Sequence, residues 1–351
     1  MKKIALVPIA YGIFLAGMLS YSVLDTLVIP RTLKAHKVDT SYDYFANMSS
    51  SKKKSSNSKI VDPTSKVVIS GSSFSFEPSS SSSGNVGELF SDTVIQTENL
   101  YVDQNIRVET KTEVIQTLRL KGEGTKDTVV YSANIYISHL SHLRTDYVKD
   151  KDGYPILNGE EYTTVMARNN NAVFALNGDT FGKQRKGYVV RNGQLIRSDR
   201  KAGNEDLIIY GDGSFEQICE DDYTANQIME RHPYQVFSFG PSLVKNGERV
   251  AEKGDEVEVF DPNNNNQRVS IGIVEPLHYV VAVCDARLDD SYGMQLFEMA
   301  NYMIGLGAKE AYNLDGGGSS AFYFNGELQN RPCTYRNRVE ERGVSDIIYF
   351  A

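Results

Sequence analysis

Carboxylates, amides and glycines recur in this chain just after apolar stretches. NLDGGGSSAFYF places Asn313 and Asp315 ahead of three consecutive glycines and Ser319. AVFALNGDTFG places Asn177, Gly178 and Asp179 after another apolar run, and HYVVAVCDARLDD places Asp285 and Arg287 after a third. Polar groups at the ends of buried strands are held by a rigid scaffold and face a crevice, where α/β sheets bind ligands. Residues without side chains let a ligand approach the backbone, and successive amides in a tight turn can cradle an anion. Gly316, Gly317 and Gly318 therefore read either as an anion nest edged by Asp315 or as a plain glycine-rich turn. They are not a nucleotide P-loop: no lysine follows them, and the next residues read as strand rather than helix.

Other chemistries fit poorly. The net charge is −8 and no basic stripe rises above the background, so no nucleic-acid partner is expected. The three cysteines, Cys219, Cys284 and Cys333, are far apart and match no metal-ligand spacing. At most one disulfide can form, and a buried thiol is the simpler reading of each. His139 and His142 lie three apart in a strand-like stretch with no third ligand, and read as exposed loop residues. DPNNNNQRVSIG begins like a calcium loop with Asp261, Asn263 and Asn265, but Asn266 stands where the turn glycine belongs and Gly272 where the bidentate glutamate belongs. VKDKDGYPILNG lacks the first ligand. No metal site and no cofactor are assigned, and a structural divalent cation elsewhere is left open.

The elements that must position these residues come in three parts. In residues 1–38, Lys2 and Lys3 precede an uncharged apolar run from Ile4 to Leu24, close to the roughly 20 residues that cross a bilayer. It reads as a transmembrane signal anchor with the remainder of the chain outside the cell, or as a signal peptide cleaved on secretion. Arg31, Lys34 and Lys37 beyond the span weaken the orientation signal. Residues 39–90 are rich in serine and lysine and too polar to offset ordering entropy, so they read as a flexible linker. Residues 91–351 are globular. TVIQTENLYV, TEVIQTLRL and TVVYSANIYIS alternate as half-buried strands do. Asn-Gly in RNGQ, KNGE and FNGE, and Asp-Gly in IIYGDGSFE, predict four type I′ hairpins. SYGMQLFEMANYMIGLGA carries Leu296, Phe297, Ala300, Met303 and Ile304 on one helical stripe, and EEYTTVMARNNN is a weaker helix. The strand–helix–strand pattern over Val280–Leu314 reads as a β-α-β crossover. The expected class is α+β: a mixed, largely antiparallel sheet with Asn-Gly hairpins and a few packed helices, preceded by the transmembrane helix.

The motifs also resemble a known family. NLDGGGSS looks like the signature of the phosphodiester glycosidases. ALNGDTFG, FSFGPSLVKNGE (with Gly240), QRVSIGI, VCDARLDDSYGMQLFEMANYMIGLGAKEAYNLDGGGSS and ERGVSDIIYF resemble further family segments, in order, from Asn177 to Phe350. Residues 99–168 fit the leading strands. Ala286 and Val269 depart from the usual Gly and Thr, and residues 1–90 have no counterpart.

The resemblance implies hydrolysis of a sugar-1-phosphodiester between the anomeric carbon and the phosphate oxygen. Such a reaction needs a carboxylate at the ring and cationic or backbone donors on the departing phosphate. It points to Asp315, Asp179, Asp285 and Glu298 as catalytic carboxylates, with Asp315 and Asp179 sharing the roles of base or nucleophile and ring-charge stabiliser. It points to Arg268, Arg287 and Arg342, with Asn177, Asn313, Gly240, Ser319 and the Gly316–Gly318 amides, on substrate and phosphate. Guanidinium meets phosphate oxygens with paired donors, which lysine cannot do. Blander roles stand beside these: Glu298 as a cap or ion-pair partner, Asp285 holding a turn with Arg287, Asn177 capping backbone beneath a pocket. The expected substrate is a carbohydrate phosphodiester of surface polysaccharide or exopolysaccharide. The rival functions are a non-catalytic wall or polysaccharide binder on the same fold and a transferase using a hydroxyl acceptor.

Overall fold

The structure, a computed structural model, describes residues 31–32, 97–102, 105–118, 125–252 and 264–351. The expected transmembrane span and the serine-rich linker lie outside them, as do Asp261 and Asn263. Among the described residues no helix is long and apolar enough to cross a membrane. Arg31–Thr32 pairs antiparallel with Ile156–Leu157 of the globular part.

Three sheets carry the fold. The largest has eight strands, in the order Glu248–Arg249, Ser242–Lys245, Glu310–Leu314, Arg268–Glu275, His278–Cys284, Thr125–Ile137, Ile106–Leu118 and Thr97–Val102. A five-stranded sheet runs Glu327–Leu328, Phe322–Phe324, Phe174–Asn177, Asp346–Phe350, Leu143–Tyr147. The other five-stranded sheet runs Phe215–Cys219, Glu205–Tyr210, Pro233–Phe237, Val189–Arg191, Gln194–Arg197. The alternation that marks these strands puts one apolar face inward from each sheet. Ile135, Val281, Tyr279, Phe174, Phe322, Phe237 and Phe350 share one buried cluster. Leu296, Met299, Ala300 and Met303 of the helix Leu296–Gly305 cover a second cluster with Val280 and Ala282.

The helix stripe and the crossover are where the pattern put them, with one refinement. His278–Cys284 and Glu310–Leu314 both pair antiparallel with Arg268–Glu275, which lies between them. The helix therefore joins two parallel strands that do not touch, and the "mixed" sheet contains only antiparallel pairings among the described strands. The weaker helix is Thr163–Asn169. Three of the four expected hairpins have positive φ at both turn residues: Asn192–Gly193, Asn246–Gly247 and Asn325–Gly326. The fourth departs. At Gly211-Asp212-Gly213 only Gly213 is left-handed, and its N–H donates back to the Tyr210 carbonyl. An extra loop residue converts that turn from type I′ to a type I turn closed by a left-handed glycine. His139 and His142 are half-buried rather than exposed. His139 caps a short 3-10 turn, and His142 Nδ1 lies 2.7 Å from the Ala351 carbonyl. The three cysteines are free thiols. Burial pushes the Cys284 thiol up to about 12.

One ion cluster stitches the two five-stranded sheets together. Arg191, on Val189–Arg191, reaches Asp179 Oδ1 at 2.6 Å and Asp346 Oδ2 at 2.9 Å, and all three side chains are fully buried. Burial and the neighbouring Asp179 charge raise the Asp346 pKa. A carboxyl whose folded pKa lies above its unfolded value favours the fold while protonated and costs stability as pH rises through the folded pKa. Arg191→Met leaves two buried carboxylates without their cation, so it is expected to cost about 3–5 kcal/mol near neutral pH. The deficit shrinks at pH 5, where protonation removes the repulsion. Urea unfolding at both pH values measures this; a deficit that grows on acidification contradicts it.

Candidate active site

Asp315 follows the strand Glu310–Leu314 and opens into a cavity of about 660 Å³. Its position is set by backbone. The Asp315 N–H donates to the Gly178 carbonyl at 3.3 Å, and Asn177 Nδ2 donates to the Asp315 carbonyl at 2.6 Å. Asn177 Oδ1 accepts from the Ala321 N–H at 3.1 Å. One buried asparagine thus fixes both ends of the glycine turn. Asn313 Nδ2 donates to the Gly240 carbonyl at 2.8 Å, tying in the segment before Pro241.

Two of the three glycines pack too closely for a side chain. A Cβ on Gly316 would sit 2.5 Å from the Gln267 carbonyl oxygen, and one on Gly318 would sit 2.1 Å from Thr334 Oγ1. Gly317 has φ +59° and donates its N–H to Gln267 O. The Gly316 amide helps to lower the Asp315 pKa. One of the three amides, that of Gly317, is committed to a backbone carbonyl, and backbone crowding demands glycine at Gly316.

Around Asp315 a short polar chain reaches the cavity. Arg342 Nε donates to Ser319 Oγ at 3.1 Å, and the Ser319 hydroxyl lies near enough to the Asp315 carboxylate to oppose the rise of its pKa. Arg342 Nη2 lies 3.8 Å from Asp315 Oδ2. Asp315 is raised above 3.8, chiefly by burial, with Asp179 adding to the rise and Ser319, Arg342 and the Gly316 amide opposing it. The Arg342 side chain is 44% exposed against 12% for Asp315, so the guanidinium can turn to a ligand while the carboxylate stays fixed.

The cavity joins only three of the expected side-chain ligands: Asp315, Ser319 and Arg342. Asp179 lies behind the wall. It is committed to Arg191 and accepts from the Ser238 and Phe181 N–H groups. Its charge acts on Asp315 and adds to the rise of that pKa. Asp285 is buried against Arg331, with Oδ2 2.8 Å from Nε, and accepts from Tyr131. Burial raises its pKa. Arg268 is buried and donates to the carbonyls of Met294 and Asn264. Arg287 is exposed and donates to the carbonyls of Cys333 and Thr334, beside Gly317. Glu298 Oε2 accepts from the Gln295 N–H in the capping box of the helix Leu296–Gly305. None of these four residues lines the cavity, and of their side chains Arg287 lies beside Gly317. Their motif spacing identified a family pattern, but strand register decides which side of the turn each one occupies.

Sequence reasoning missed the opposite wall. Lys183, Arg185, Lys186 and Lys201 line it, with Thr180, Gln184, Glu160 and Phe239. The signal was legible as GKQRKG, directly after the Asp179 motif. Lys183 pairs with Glu160 at 2.8 Å. Among the described residues no cluster of three His, Cys, Asp or Glu side chains is placed to hold a metal ion.

A fixed carboxylate beside an arginine, in a cationic cavity at the ends of sheet strands, defines a site for an anionic ligand. The chain belongs to the phosphodiester glycosidase family, whose model matches residues 170–351. Its fold is similar to that of the zebrafish N-acetylglucosamine-1-phosphodiester alpha-N-acetylglucosaminidase catalytic domain auto-inhibited by its pro-peptide. That match has a TM-score of 0.56 and 20% identity over 77% of this chain and 94% of that one. A hypothetical protein from Synechocystis matches with a TM-score of 0.53 and 15% identity, over 74% of this chain and 64% of that one. The uncharacterised SPbeta prophage-derived protein YomE of Bacillus subtilis (strain 168) is 26% identical over 171 residues, 47% of this chain. The matched region spans about a quarter of that relative, 26% of its length.

Gly316→Ala tests the packing of the turn. The Gln267 carbonyl belongs to backbone and cannot swing aside, so the variant is expected to lose about 1–3 kcal/mol. A urea midpoint equal to wild type would show that the turn has room for a side chain.

Proposed function

We propose that this protein hydrolyses a sugar-1-phosphodiester, releasing a free sugar and a phosphomonoester. The observation that carries the reading is that Asp315, Ser319 and Arg342 line one cation-rich cavity, with Arg342 bonded to Ser319 and 3.8 Å from Asp315. Family membership and the substrate class named for the zebrafish relative support it.

In this reading the phosphodiester lies against Arg342 and Ser319, and the anomeric carbon faces Asp315. Water attacks the anomeric carbon, or Asp315 does so first and water follows. The bond from that carbon to the phosphate oxygen breaks, and its electron pair leaves with the phosphate. When water attacks directly, Asp315 takes its proton. Arg342 carries the charge that gathers on the leaving group, where fixed charged donors act most strongly. A phosphate leaves readily without a strong acid, so one ionised carboxylate in the cavity suffices for the first bond change. The buried Asp179 charge, close enough to act on Asp315, favours a ring that becomes positive.

The natural substrate in this reading is a glycosyl phosphate of surface polysaccharide or exopolysaccharide. The apolar run Ile4–Leu24 and the serine-rich segment after it support a membrane-tethered, extracytoplasmic enzyme.

Free reducing sugar released from a panel of α-sugar-1-phosphate methyl esters tests the activity. Asp315→Asn is expected to lower kcat at least about a hundredfold, within the range for a lost acid–base group. Full turnover in that variant, or none by wild type on any ester, refutes the reading. The pH profile gives an independent check. Asp315 works ionised and its pKa is raised, so kcat/KM falls on acidification at a pH above 3.8. Arg342→Ala removes a cation that lowers this pKa, so the acid limb moves to higher pH. A limb that stays put or moves down contradicts Asp315 as the titrating group.

A further inference from the structure

The chain is acidic, at −8 overall, yet five of its cations gather in one cavity: Lys183, Arg185, Lys186, Lys201 and Arg342. Only two carboxylates share it. Glu160 pairs with Lys183, and Asp315 has Arg342 beside it. Arg185, Lys186 and Lys201 pair with no carboxylate among the described residues. Like charges assembled without counter-charges repel one another, and a concave wall concentrates their field on whatever enters.

The backbone under these cations is built, not loose. Buried Arg197 donates to three carbonyls of the basic loop: Phe181 at 2.9 Å, Gln184 at 2.6 Å and Gly187 at 2.7 Å. Burial lowers the Arg197 pKa, and it keeps its place through those carbonyls. The Lys201 N–H donates to Glu220 Oε2 at 2.6 Å, and Glu220 is fully buried. Two separate segments are thus tied to the interior so that their charged side chains share one wall. A single phosphodiester carries one negative charge, and Arg342 with Ser319 already answers it.

We propose that the cavity takes a ligand with two anionic groups, the reacting phosphodiester at Arg342 and Ser319 and a second phosphate or carboxylate at Arg185, Lys186 and Lys201. This rests on the glycosidase reading for the identity of the first group, and it narrows the substrate class to an acidic glycan. The second group sits on the same molecule, so its capture becomes an intramolecular event after the first and raises affinity without a new reacting contact.

Binding alone tests this, separately from turnover. Isothermal titration calorimetry on the full-length chain in mild detergent compares glucose 1-phosphate with glucose 1,6-bisphosphate. The bisphosphate is expected to bind at least about tenfold more tightly, and raising salt is expected to shrink that ratio. The double variant Lys186→Ala/Lys201→Ala should bring the ratio to within about threefold, and Lys186→Arg/Lys201→Arg should restore it. Equal affinities in wild type overturn the proposal, as does failure of both ligands to bind at millimolar concentration. A preference that survives the alanine pair overturns the assignment of the second group to this wall. If the preference behaves as expected but no sugar-1-phosphate ester is turned over, the two-anion site stands and the hydrolytic reading falls.

Discussion

Two strand ends meet at one asparagine. Asn177 sits at the end of Phe174–Asn177 and holds both the Asp315 carbonyl and the Ala321 N–H, the two sides of the glycine turn. The strand carrying Asp315 belongs to the eight-stranded sheet, and the strand carrying Asn177 to a different one. The lock therefore joins two sheets at the point where the carboxylate emerges. Buried polar groups are costly unless fully partnered, so such a lock tolerates one arrangement and rejects near misses. Arg191 repeats the device one layer deeper, bringing Asp179 and Asp346 from two directions onto a cation of the remaining sheet.

These locks create an electrostatic contrast. Carboxylates behind the wall are desolvated and shared, while the cavity in front carries mostly positive charge. Asp315 stands at the boundary, raised by burial and by Asp179, and restrained by Ser319 and Arg342. An enzyme acting on an anion faces a conflict, since the field that attracts the substrate also weakens a carboxylate as a base or nucleophile. Here Arg342 reaches Asp315 only at 3.8 Å and bonds Ser319 instead. The cation is left free to meet an anionic ligand without capturing the carboxylate.

Much of this was legible in the sequence. The Asn-Gly pairs gave three hairpins because only a few residues tolerate positive φ twice in succession. The helix stripe gave Leu296–Gly305, and the glycine run after Asp315 marked the turn that bears the site. Less was legible where side-chain direction depends on register. Arg268 and Asp285 lie near the turn in motif space, but Arg268 faces backbone carbonyls and Asp285 faces Arg331. The family-like motif marks Asp179 as a site residue, but its burial against Arg191 becomes visible only once the other sheet is placed. The basic loop 182–187 was visible as composition, yet nothing in the sequence said that Arg197 would hold it over Asp315. Short-range patterns define turns and faces, whereas a cavity wall is assembled from segments far apart in the chain.

The central claim is that one face of the glycine turn, the face with Asp315, Ser319 and Arg342, is where the sugar phosphate sits. A crystal structure of the protein soaked with a sugar 1-phosphate tests it most directly. The account predicts phosphate oxygens within hydrogen-bond distance of Arg342 and Ser319, with the anomeric carbon turned to Asp315. A phosphate found on the other face, against Arg268 or Arg287 and Asp285, would contradict it.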